Sequence, residues 1–531
     1  MKVKKPTVGF VGFFVLTLFS PASPFIPTFR SVKNISSQGV HIMAFSSSRR
    51  TFLSALSGSA VLTGASMATG AETVDGVPRH GRFCVIASEA GAALDSDVEN
   101  GGGTDDTELF QKILDLAVTW GGLHLIVDGA ALVRSLAVHS NTTIECPTPA
   151  CGFFHKGHDN APLLRNADYS MEERKNKNIT LLGGTYNGNC LEQAHDFVVS
   201  EINYEPKFPQ KVFGDVRWNF IFEFFGVEDF TARGVTFRDQ PTFTVLMTNF
   251  ERVLFEDIKI DLPHRLDDKN QDGLHFWGPG RFLTIRNLQG DSGDDIIALA
   301  PDENDSISDI TDVLIDGVQL NGAHQGIRLL SRAKGRLDRV IIKNVTGTYE
   351  NFGFYIVPWF THAGGNLGNI TFDTIDLRGI TPRYTPFVFS AAGSIESLVL
   401  RNITHHAPDD DRILFQFGSK YGDELKDENG QTVKMKIDTI LIDGLRVYHP
   451  KFSEGQPSLL KVDCDIRHLT VRNAEVITAD DPEAEEMYRK SCFLQVTGDG
   501  KIGTLSLTNV DIGGIPQLTR LENGGTIENQ K

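Results

Sequence analysis

A six-residue pattern, apolar-x-apolar-x-(Gly/Asn/Asp/Thr)-apolar, recurs ten times from Phe230 to Val510. It starts at Phe230, Val253, Leu283, Val313, Val340, Ile370, Leu398, Ile440, Leu469 and Leu505. The intervals are 23, 30, 30, 27, 30, 28, 42, 29 and 36 residues. Alternation of period two predicts a short strand, and Gly or Asn at a fixed offset predicts the bend that ends it. Units of this length cannot bury their own apolar face and must stack on their neighbours. No Leu-x-x-Leu-x-Leu frame or 3.6-residue periodicity is visible, and most intervals are too short for four-stranded propeller blades. The pattern therefore predicts an all-β solenoid. It is a single-stranded right-handed parallel β-helix of about ten or more coils, spaced by roughly 4.8 Å.

Such a stack exposes an apolar end and needs a cap. Thr104-Asp105-Asp106-Thr107 precedes Leu109, Phe110, Ile113, Leu114 and Ala117, and Gly121-Gly122 follows Trp120. This order predicts an N-cap, an amphipathic capping helix near Thr107 to Thr119, and a glycine stop. Asp105 and Asp106 are accordingly read as capping residues, although they too are paired aspartates. The 42-residue interval carries a polar loop, Lys420 to Val433, and the 36-residue interval an acidic one, Asp480 to Glu486; both are expected to be insertions between coils.

The first 71 residues read as targeting sequence, which leaves residues 72–531 as one β-helix domain. Ser48-Arg49-Arg50-Thr51-Phe52-Leu53 and the small-residue run to Ala68 or Ala71 resemble a bacterial twin-arginine export signal that starts at Met43. The apolar run Val8 to Phe19 alone would resemble a secretory signal, and it is too short to span a membrane. The expected destination is the periplasm or the medium, with the twin-arginine export machinery as a partner.

Charge narrows the partners. Residues 1–71 hold seven Lys/Arg and no Asp/Glu, so the remainder carries 44 basic against 68 acidic side chains. A chain this acidic is a poor ligand for nucleic-acid backbone, and it repels an anionic polymer unless a local basic patch intervenes. The six cysteines, Cys84, Cys146, Cys151, Cys190, Cys464 and Cys492, lack Cys-x-x-Cys spacing, so no metal is expected. Cys146 and Cys151 are near enough in sequence to bridge a small loop. No cofactor is implied, and a monomer is expected.

Candidate chemistry sits within the repeat. Asn270-Gln-Asp272-Gly273 and Gly293-Asp294-Asp295 lie 22 residues apart, followed by His324 and Tyr355 at 29 and 31 more. Each interval is close to one coil, so these side chains are expected to form one stripe. Asn and Asp also cap bends and build internal ladders in β-helices, which is the plainer reading of any single one. Several carboxylates on adjacent coils repel one another, which raises the pKa of one member, as an acid–base pair requires.

These motifs, in this order, resemble the polygalacturonase-like glycoside hydrolases of family 28, over about residues 178 to 360. Asn178-Ile-Thr-Leu-Leu-Gly-Gly-Thr-Tyr-Asn-Gly-Asn189 is similar to the family's first coils, and Arg238-Asp-Gln240-Pro-Thr-Phe243 to its Asn-Ser-Pro strand. Asn270-Gln-Asp-Gly273 is similar to Asn-Thr-Asp-Gly, Gly293-Asp-Asp295 to Gly-Asp-Asp, and His324-Gln-Gly326 to Gly-His-Gly. Gly101 to Gln111 is also similar to the opening of pectin-active β-helix proteins. The resemblance implies that Asp294 is the general acid, that Asp272 and Asp295 activate water with inversion, and that His324 holds the acid. An inverting pair stands roughly 6.5–9.5 Å apart to admit the water. In a regular strand Asp294 and Asp295 would face opposite ways, unless a bend falls beside Gly293.

The chain also departs from the family. Where polygalacturonases carry Arg-Ile-Lys, Gly353-Phe354-Tyr355-Ile356-Val357 stands, so two cations that would hold a galacturonate carboxylate are lost. Arg328 and Arg265 are the candidate replacements. Trp277, Tyr355, Trp359 and Phe360 are candidate sugar-stacking surfaces, and Asn270 and Gln240 are candidate substrate contacts. His275, three residues beyond Asp272, would face away from it in a regular strand, and is a further candidate contact. The predicted function is hydrolysis of a pectin-like or other plant or algal polysaccharide. A β-helix lyase, a uronan epimerase and a non-catalytic carbohydrate-binding protein remain as alternatives.

Overall fold

The ten predicted strand starts lie directly over one another. Phe230 pairs in parallel with Val253, then in turn come Leu283, Val313, Val340, Ile370, Leu398, Ile440, Leu469 and Leu505. The computed structural model describes residues 72–74, 77–79, 83–193, 219–266, 270–305, 307–331, 334–356, 364–380, 387–406, 413–418, 431, 435–453, 457–480 and 482–531. The export-signal reading falls outside these residues, as do Val357, Trp359, Phe360 and all of the 420–433 loop but Gln431. The fold is a right-handed parallel β-helix. Its ladder extends beyond the ten starts, to Ile179, Thr142 and Leu123 on one side and to Gln530 on the other. Those outer coils break the hexapeptide at one or more positions, as Gly184 does where an apolar residue is expected, so the pattern alone misses them.

Each position of the hexapeptide has a physical task. The first and third residues are buried, as Leu283 and Ile285 are, except Leu507 of the last coil, which is half-buried. The fifth adopts the left-handed conformation in all ten coils, from Gly234 (φ 66°) and Asp257 (56°) to Asn473 (54°) and Asn509 (52°). This explains the restriction to Gly, Asn and Asp, with Thr374 the strained exception at φ 59°. Asn side chains there bond to the coil before, Asn287 to Asp257 at 3.0 Å and Asn509 to Asn473 at 3.0 Å.

The fourth position carries a ladder of alternating charge. Arg233, Glu256, Arg286, Asp316, Lys343, Asp373, Arg401, Asp443 and Arg472 are consecutive cross-strand neighbours. Contacts of 2.6 Å for Arg233–Glu256, 3.1 Å for Lys343–Asp316 and 2.7 Å for Arg472–Asp443 follow. A one-coil slip would set like charges against each other, so the alternation favours the observed stacking.

The predicted capping helix spans Thr107–Trp120 and buries Phe110, Ile113, Leu114, Leu116 and Ala117. It stops at Gly121, at φ 77°. Its start differs in detail from the expectation. Asp106 occupies the N-cap, but its carboxylate accepts from the Ala93 and Leu94 amides at 2.9 and 3.0 Å, bracing the preceding loop. Asp105 accepts from the Thr107 amide instead, and pairs with Lys156 at 2.8 Å. The acidic insertion is also more ordered than a loop, since it contains the helix Pro482–Arg489. Acidic residues in its first turn and Arg489 in its last suit the helix dipole. All six cysteines are free, so Cys146 and Cys151 form no bridge.

Candidate active site

One sheet of the helix carries the candidate residues, on the short strands Leu274–Trp277, Asp295–Ala300 and the C-terminal ends of Ile310–Leu329 and Leu337–Ile356. The single expected stripe resolves into two rows. His275, Ala298, Arg328 and Tyr355 are cross-strand neighbours in one; Asp295, Gln325 and Phe352 form the other. Register shifts on either side of Ala323 displace His324 from the row it was expected to join.

Asp272 lies two residues before a strand, and Asp294 immediately precedes one. Gly273 makes the first approach possible: a Cβ there would sit 2.2 Å from the Ile296 carbonyl. Because the strand begins only at Leu274, simple alternation does not apply, and His275 does not turn away from Asp272. Its Nδ1 lies 2.7 Å from Asp272 Oδ2, which corrects the expectation of opposite faces. Its Nε2 lies 2.8 Å from Glu303 Oε2, which also accepts from Trp277 Nε1 at 2.8 Å. Phe243 stacks on the imidazole at 4.3 Å.

The three aspartates have three different partners. Asp272 faces His275; Asp295 Oδ2 accepts from Arg328 Nη1 at 3.4 Å; Asp294 Oδ1 accepts from the neutral amide of Gln325 at 2.6 Å. Asp272 and Asp295 are buried, and Oδ1 of each accepts no hydrogen bond from the described residues. Burial pushes Asp294 well above the usual carboxylate range, and the Asp295 and Asp272 charges push it further. Burial likewise raises Asp295 to about 7 against the pull of Arg328, and raises Asp272 against the pull of His275. For His275 burial opposes the charged form, yet Glu303 and Asp272 prevail and raise it to about 10. Mutual influence in these shifts places the three carboxylates, Arg328 and His275 in one electrostatic field.

His324 belongs to an adjoining network. Its Nδ1 meets Glu350 Oε2 at 2.9 Å and its Nε2 meets Asn351 Nδ2 at 3.0 Å. Arg265 closes that network, donating to Glu350 Oε1 and to the Ser292 carbonyl, each at 2.8 Å. Ser292 Oγ donates in turn to the Asp294 carbonyl at 2.8 Å, which links the two networks.

Several expected substrate contacts have other tasks. Trp277 is 1 % exposed, packed in a cluster with Phe220, Phe225, Phe243 and Leu246, so it offers no face to a sugar. Gln240 is wholly buried; its Nε2 donates to the Gln271 backbone carbonyl at 3.4 Å, and its own backbone carbonyl receives Gln271 Nε2 at 2.7 Å. Arg265 spends two amino groups on Glu350 and Ser292, as above. Tyr355 is half-buried, stacked on Phe352 at 4.8 Å with the Arg328 guanidinium 4.8 Å from its centroid. Asn270 is half-buried. Sequence reasoning missed Glu303, Gln325 and Glu350. The one available signal was spacing: Glu303 stands 28 residues after His275, about one coil, but outside any motif.

Residues 168–388 match the family model of the glycosyl hydrolases family 28. The chain is family 28-like over this segment. A polygalacturonase from Medicago sativa is 28% identical over 170 residues, which cover 31% of this chain and 37% of that protein. The match thus spans well under half of that relative's length. The solved structure of the Yersinia enterocolitica family 28 exopolygalacturonase aligns over 82% of this chain and 79% of its own, at 14% identity and a TM-score of 0.52. That likeness concerns the fold. Among the described residues no helix is long and apolar enough to cross a membrane.

Proposed function

We propose that this protein is a glycoside hydrolase that cleaves a pectin-like polysaccharide with inversion. One observation carries the reading: three carboxylates in one buried field have unequal partners. Asp272 and Asp295 each face a cation, which favours the ionised form, while Asp294 faces only an amide and burial holds it well above the usual carboxylate range. The division supplies two bases and one acid at neutral pH. Water oxygen bonds to the anomeric carbon, and its proton passes to Asp272 or Asp295. The glycosidic C–O bond breaks, its electron pair goes to the leaving oxygen, and Asp294 supplies that oxygen's proton. His324, tied through Glu350, Arg265 and Ser292 to the Asp294 backbone, steadies the acid. In this reading export follows the twin-arginine-like segment Ser48 to Leu53.

The test is a screen of purified protein against plant and algal polysaccharides, reading reducing ends, with NMR of the first-formed anomer. Asp294→Asn should lower turnover by at least about a hundredfold with circular dichroism unchanged, since general acid catalysis contributes roughly 10²–10⁴-fold. Release of unsaturated products, or a retained anomer, would overturn the reading.

A further inference from the structure

We propose that Glu303 is a positioning residue for this reaction: through His275 it keeps Asp272 ionised and engages Oδ2, so that Oδ1 is the oxygen left unengaged. The inference rests on the hydrolase reading above. Glu303 lies in the turn that follows the strand Asp295–Ala300, one coil from His275. Its Oε2 receives both His275 Nε2 and Trp277 Nε1 at 2.8 Å, so two donors fix its position. His275 is 5 % exposed and clamped between Phe243 at 4.3 Å and the two carboxylates. An imidazole with an ionised carboxylate at each nitrogen is a double donor, and hence a cation. Asp272 Oδ2 is taken up by that cation, which leaves Oδ1, buried and without a partner among the described residues, for water.

The proton between Nδ1 and Oδ2 can sit on either residue. The burial of both groups favours the neutral pair, a protonated Asp272 beside a neutral His275. The negative charge of Glu303 at Nε2 favours the ion pair, in which Asp272 is a competent base. Arg328 also favours the ionised Asp272, whereas Asp294 and Asp295 favour the His275 cation and disfavour charge on Asp272. Removing the Glu303 charge has two opposed effects on Asp272. It relieves a distant repulsion, and it lets the shared proton leave His275. Asp272 touches His275 directly and Glu303 only through it, so the second effect prevails.

The test compares wild type with Glu303→Gln in the full-length protein, with pectin as substrate and 15N-histidine NMR as an activity-free readout. Wild-type His275, assigned by its absence in His275→Gln, should show imidazolium shifts through neutral pH. In Glu303→Gln it should show neutral shifts, and the acid limb of kcat/KM should move up by about one to three pH units. KM should change little, and Glu303→Asp should restore much of the profile. If Glu303→Gln does not fold, Glu303→Asp carries the test through an upward shift of smaller size. A rate lowered equally at every pH, or His275 shifts unaltered by either variant, would overturn the proposal. Failure of the wild type to cleave pectin would instead count against the hydrolase reading, and the NMR comparison would still decide the role of Glu303.

Discussion

Glu223 shows how far a single side chain can depart from its ordinary state outside the acid–base cluster. It is 2 % exposed, its Oε1 has no hydrogen-bond partner among the described residues, and burial raises it to about 8 against the pull of Arg165. A carboxyl raised in the folded state adds stability that is complete below its unfolded pKa and is lost as pH climbs through the folded value. The window therefore runs from about pH 4.5 to about pH 8. Glu223→Gln, an uncharged mimic of the protonated form, should match wild type near pH 4 and exceed it near pH 8 by a few kcal/mol, at about 1.4 kcal/mol per pKa unit. Chemical denaturation across that range checks it; a constant difference at all pH would mean that Glu223 does not titrate as described. The residue scale is also where the sequence was least legible. Asp272, Asp294 and Asp295 could be found because they fall one coil apart beside glycines. Glu303 and Glu350 could not, because their partners are chosen by coil register rather than by any local motif. His275 was misjudged because alternation was applied across Gly273, where no strand yet exists.

At the scale of the element, the hexapeptide was legible because each position answers to one local force: burial at the first and third, a left-handed bend at the fifth. The fourth position looked merely polar, and its alternation of sign emerges only once the coils are stacked. That ladder makes a mutational prediction. Arg286 stands between Glu256 and Asp316 in register. Arg286→Glu places three acidic side chains in a row and should destabilise by about 1 kcal/mol, since exposed cross-strand charge pairs contribute roughly 0.2–1 kcal/mol each. Arg286→Gln should cost less, and the gap between the variants should close as NaCl is raised to about 1 M, where the Debye length is about 3 Å. Equal Tm values for the two variants at low salt would show that the alternation does not stabilise the stack.

For the molecule as a whole, the parallel β-helix could be read from the repeat because a solenoid is a sum of neighbour contacts. What the repeat could not give was the content of its longer intervals, which follow local rules of their own, as the helix Pro482–Arg489 does. Substrate preference also belongs to this scale, because it depends on net charge as much as on any contact. The chain carries a formal charge of −17, and the two candidate cations, Arg328 and Arg265, already face Asp295 and Glu350. With Tyr355 in the strand where two cations were expected, an acidic polymer gains little local attraction to offset that repulsion. A charge-assisted contact to a carboxylate is typically worth about 1.5–3 kcal/mol, so its loss weakens affinity about ten- to a hundredfold. We therefore expect neutral or substituted glycans to be cleaved better than unmodified polygalacturonate. Any activity on polygalacturonate should also rise with salt. The Debye length falls from about 30 Å at 0.01 M to about 8 Å at 0.15 M, which screens repulsion between the chain and the polymer. A neutral oligosaccharide should show no such trend. If kcat/KM on polygalacturonate instead falls as salt is added, the groove attracts uronate, and Arg328 must be released from Asp295 to hold it.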